Sequence, residues 1–159
     1  MPSQEDYILR HIALLRQFLA QAVGLRSAGR PEQALVVILQ AQEKLFARPA
    51  AAVAALSIDD QLRLLGQGEP PDLARASQLG YASLLREAGL ACLARDHPAQ
   101  ATGAFQLALH VTLTVALEDP AGDGQHLPAL AELLSRIPLE ELNPVVREML
   151  GRIGDLPAV

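Results

Sequence analysis

Two stretches of this chain, 67 residues apart, repeat one another at the positions that set helix spacing. Laying Ala34 on Ala101 puts Pro31-Glu32-Gln33-Ala34 over Pro98-Ala99-Gln100-Ala101, Ile38 over Phe105, Ala41 over Ala108 and Phe18 over Leu85. Self-similarity of this kind restricts the fold more than any single motif, because each copy must form the same supersecondary unit and bury its apolar face on a neighbour. A proline opening the second half of each copy, with Gly29 just before the first, describes a tight helical hairpin.

Composition agrees with helix. The 159 residues include 30 Leu and 27 Ala, no Trp, three Phe and two Tyr; Leu and Ala are strong helix formers and aromatics favour strands. This length suits one domain able to bury most of its apolar surface. The single cysteine, Cys92, leaves no intramolecular disulfide and fits a reducing, cytoplasmic setting. A net charge of -5 with Lys44 as the sole lysine provides no basic field for nucleic-acid phosphates. The acidic start, Glu5-Asp6, is unlike a secretory signal. From His97 to Leu117 there is no Asp, Glu, Lys or Arg, but Gln100, Thr102, Gln106, His110, Thr112 and Thr114 recur through the stretch, so a helix buried in protein is expected rather than a membrane span.

Periodicity and punctuation place the helices. The first runs from Gln4 to Ala28, with Ile8, Ile12, Leu15, Leu19 and Ala22 or Val23 on one stripe and Leu14, Phe18 and Leu25 on another; the second runs from Pro31 to Phe46. Arg48 to Leu56 reads equally as helix end or linker. Ser57 and Asp60 resemble a capping box opening a short inserted helix to Leu65, closed by Gly66, Gly68, Pro70 and Pro71. A third major helix extends from Asp72 to about Arg95 and a fourth from Pro98 to about Glu118, with Pro120, Gly122 and Gly124 ending it. Two shorter helices, Pro128 to Arg136 and Leu139 to Arg152, complete an all-α domain, punctuated by Pro138 and Gly154.

The spacing Gly89, Ala101, Phe105, Ala108 resembles the tetratricopeptide pattern, in which small residues let antiparallel helices approach and a large apolar residue fills the space between adjacent hairpins. The first unit, Ala22, Ala34, Ile38 and Ala41, matches more loosely; Phe46 and Leu113 stand where the pattern has proline, and the stretch from Ala47 to Pro71 interrupts a regular array. Asp6-Tyr7-Ile8-Leu9-Arg10 is similar to the opening of a bacterial family of tetratricopeptide-like proteins without an assigned activity. The resemblance implies two tetratricopeptide-like hairpins with an inserted short helix and C-terminal capping helices. It also implies a partner-binding inner face made by the first helix of each hairpin: Arg16, Leu19, Val23 and Arg26, then Ser83, Arg86, Leu90 and Leu93. The Lys and Asn clamp of chaperone-tail binders has no match there, since Lys44 and Asn143 lie elsewhere.

Residues that could carry chemistry read as structural. None of His11, His97, His110 and His126 has a second ligand at helical spacing, so no metal and no cofactor is expected; His97 and His126 are expected in solvent. Asp59-Asp60 and Glu140-Glu141 fall in predicted first turns, where they complement the helix dipole. Cys92, among Leu90, Ala91 and Leu93, is expected to be a buried apolar side chain. The glycines at Gly66-Gln67-Gly68 and Gly122-Asp123-Gly124 lack the Lys-Ser or Lys-Thr of a phosphate loop and read as turns. The expectation is therefore a protein-interaction or assembly module and not an enzyme, associating with a protein partner or with itself as a homodimer, without membrane or nucleic acid. A small-molecule or lipid-binding helical domain is the alternative.

Overall fold

The computed structural model describes residues 4–119 and 124–153, and side chains from Leu9 onward. Among them every regular element is helical: α1 (Gln4–Ser27), α2 (Pro31–Phe46), α3 (Ala50–Ala54), α4 (Ile58–Gly66), α5 (Pro71–Ala94), α6 (Pro98–Glu118), α7 (Leu127–Leu134) and α8 (Pro144–Gly151), with 3₁₀ turns at Gly124–His126 and Leu139–Glu141. The expected stops at Pro120, Gly122 and Gly154, the turn at Gly122-Asp123 and the side chain of Ile8 lie outside the described residues.

The two long pairs, α1 with α2 and α5 with α6, turn by the same device. Gly29 is left-handed (φ 78°), its N–H donates to Arg26 O, and Arg30 N–H reaches back to Leu25 O. At the equivalent place Asp96 is left-handed (φ 59°), its N–H donates to Leu93 O, and His97 N–H reaches Cys92 O. Both are the two-bond helix stop that satisfies otherwise orphaned carbonyls. Asp tolerates this conformation better than most residues with a Cβ, which is how the second turn forms without glycine. Pro31 and Pro98 then start α2 and α6, where a missing N–H costs nothing.

The ambiguous run after Phe46 resolves into a left-handed Ala47 that ends α2 and an extended Pro49 that starts the short α3. Ser57 Oγ accepts from Asp60 N–H at 3.1 Å and caps α4. This inserted segment is locked by buried polar groups: Tyr81 Oη donates to Gln61 Oε1 (2.6 Å), and Gln61 Nε2 donates to Val53 O (3.0 Å). Phe46 meets the Tyr81 ring edge-on. Burial pushes the Tyr81 hydroxyl up to about 12, so it is protonated and able to donate near neutral pH. One expected helix is not continuous. Instead of running from Leu139 to Arg152, the chain makes a 3₁₀ turn and restarts at Pro144, because a residue before proline is driven out of the helical region; Asn143 is extended and its side chain caps Val145 N–H. Glu140 and Glu141 accordingly lie exposed in that turn rather than in the first turn of an α-helix.

The α5 helix is the shared element, packing on α1, α2, α4 and α6. On one side Leu84 and Ala91 join Leu15 and Ala22 of α1 and Ala34, Val37, Ile38 and Ala41 of α2. On the other, Tyr81, Leu85 and Cys92 join Phe105, Leu109 and Leu113 of α6, Leu62 and Leu65 of α4, Leu130 and Leu133 of α7, and Val146 of α8. Phe105 thus corrects the sequence reading. It does not fill the space between the hairpins but lies against Gly89 within its own, where a Cβ would meet the ring at 2.5–2.7 Å. The close approach between hairpins is made instead at Gly80, where a Cβ would run into the Leu15 side chain. The uncharged stretch expected to be buried is α6, with Leu109, Val111, Leu113 and Val115 fully covered, and no helix among the described residues is long and apolar enough to cross a membrane.

Gly89→Ala should therefore destabilise the protein by about 1–3 kcal/mol through overpacking on a ring that has no room to retreat. Gly103→Ala, on the exposed side of α6 with nothing near the added methyl, should stabilise it by roughly 0.5–1 kcal/mol. Urea denaturation of the two variants measures both, and equal effects would contradict the close approach at Gly89.

Candidate functional site

The face implied by the family resemblance draws on α1 and α5, which pack on each other, but its apolar members divide: Leu19 lies against the cluster shared with α2 and Leu90 against the cluster shared with α6. The chemical state of Arg26 and Arg86 differs from that of a free basic surface. Arg26 Nε donates to Glu87 Oε2 at 2.8 Å and its Nη2 to Oε1 at 3.3 Å. Arg86 gives Nε and Nη2 to the two oxygens of Glu132 on α7, both at 2.9 Å, and Nη1 to Glu87 at 3.4 Å. Glu132 also accepts from Arg136 Nε at 2.7 Å, and the Arg136 guanidinium stands 5.6 Å from the centre of the Phe105 ring, within cation–π range.

The result is one chain of alternating charge, Arg26–Glu87–Arg86–Glu132–Arg136, tying α1 to α5 and α5 to α7. Three guanidiniums share two carboxylates. The hydrogen bond from Arg86, reinforced by that from Arg136, holds the Glu132 carboxyl below its ordinary range despite partial burial, and the same bond raises Arg86. Glu87 is 3% exposed, a carboxylate that could not be buried without such partners.

The remaining residues of the face divide by burial. Leu19 and Leu90 are half-buried against the two apolar clusters, Val23 is half-buried, and Ser83 Oγ donates back to Leu79 O (3.1 Å). Arg16 and Leu93 are exposed. Sequence reasoning missed Glu87, Glu132 and Arg136. Glu87 carried a readable signal: it lies three residues after Leu84 and four before Ala91, on the same helix stripe as two core positions, and an acid there announces a buried ion pair. The i, i+4 pairing of Glu132 with Arg136 was also readable, but not its reach to Arg86.

Elsewhere the titratable groups are dispersed. His97 is exposed, as expected, at the start of α6. His126 is not in solvent as expected: the 3₁₀ turn folds its ring inward, where Nε2 lies 2.9 Å from Asp119 Oδ2. His110 Nε2 is 3.5 Å from Asp59 Oδ1. Cys92 is buried, which raises its thiol. No three His, Cys, Asp or Glu side chains among the described residues converge in a way that could hold a metal ion. No family model, curated protein or solved structure matches the chain.

Two carboxylates in one network should differ on removal. Glu87→Ala leaves Arg26, 27% exposed, without this carboxylate while Arg86 keeps Glu132, and should cost about 1–3 kcal/mol, while Glu132→Ala, at a third-exposed pair, should cost no more than about 1 kcal/mol. The contribution of Glu132, whose folded ionisation is depressed, is complete near neutral pH and fades as pH falls below about 4. The stability gap between wild type and Glu132→Gln should therefore close on acidification; a gap that widened would contradict the direction of the shift.

Proposed function

We propose that the chain is a tetratricopeptide-like interaction module that joins a second copy of itself through its first hairpin. Three features support the architectural part of the reading: the duplicated turn at Gly29 and Asp96, the buried small residues Ala34 and Ala101 at matching places, and the seating of α5 on both helices of the preceding hairpin. In such arrays each hairpin offers a face for the next.

The observation that carries the functional part is the unequal covering of the two ends. Beyond α6, Leu130, Leu133, Ile137, Leu142, Val146 and Ile153 form a buried cap. At the α1–α2 end no such cap exists among the described residues, and Leu9, Leu14, Val36 and Leu39 remain exposed, the last two at 53% and 48%. The capped half also exposes Leu139 and Val145, at 49% and 51%, so it is the presence of four such residues on one uncovered helix pair that favours α1–α2 as the contact surface. A symmetric pair is the commonest way to cover one, and each copy needs to give up roughly 800 Å² of its 8686 Å² of surface. The inner face keeps a smaller role in this reading, with Arg16 and Leu93 as its available groups. The module binds and does not catalyse, a reading supported by the commitment of Arg26, Arg86, Glu87 and Glu132 to one another.

Light scattering over a wide concentration range should give twice the chain mass at high concentration for the wild type and the chain mass for Val36→Glu/Leu39→Glu. Both positions are exposed, so the double variant should keep its helical circular dichroism. A wild type that remains monomeric throughout, or a dimer indifferent to the double variant, would overturn the proposed interface.

A further inference from the structure

No further inference is drawn: the strongest candidate, the cleft of about 700 Å³ between α4, α5 and the end of α6, presents a cluster of acidic side chains, Asp59, Glu69 and Glu118, beside two arginines already paired with Asp60 and Asp72 and a buried Gln78 amide already bonded to Leu62 O, and nothing in the structure shows what would fill it.

Discussion

The α5 helix is compressed from opposite sides, and the rest of the structure follows from that compression. Gly80 admits the Leu15 side chain of α1, and Gly89 admits the Phe105 ring of α6. Nine residues separate them, which at about 100° per residue places them half a turn apart around the helix. With both neighbours drawn in, Leu84 is fully covered by the first hairpin's cluster and Leu85 by the second's. Neither hairpin has an enclosed core without α5, and helices of this length draw most of their stability from packing rather than propensity.

The charged network serves the same junction. Glu87 sits on α5 between Leu84 and Ala91, and burying it there requires cations from two directions: Arg26 from α1 and Arg86 from α5 itself, the latter held in place by Glu132 of α7. Such pairs contribute more to register than to net stability, because desolvation offsets much of their attraction. Two arginines which look like recognition groups in the sequence are thus paired within the fold, although their side chains remain 27% and 37% exposed.

Local chemistry made most helix boundaries readable. Pro31, Pro98 and Gly29 act within one or two turns of themselves, so the hairpin elements lie where periodicity and punctuation put them. Asn143-Pro144 was just as local, but the apolar spacing on either side outweighed the proline in the sequence reading, and one helix was expected where there are a 3₁₀ turn and a shorter helix. The side chains whose roles were misjudged or missed depend on distant partners. Arg26 and Glu87 are 61 residues apart and Arg86 and Glu132 are 46; nothing in the neighbourhood of either arginine encodes the contact. Phe105 was assigned to the gap between hairpins because the family pattern puts it there, while Gly80, which does open that gap, belongs to no repeat position. His126 shows the same limit: a nearby glycine suggests exposure, and burial follows only from how the segment folds back on Asp119.

Native-state hydrogen exchange tests most directly the claim that α5 makes both hairpins one cooperative unit. Subglobal units exchange at their own lower free energies when they can open alone. The account predicts that buried amides of the first hairpin, at Ala22, Val37 and Ile38, exchange with the same opening free energy as Leu109 and Leu113 of α6 and with the same denaturant dependence. A first hairpin that opened at clearly lower free energy while α5 and α6 stayed protected would contradict it.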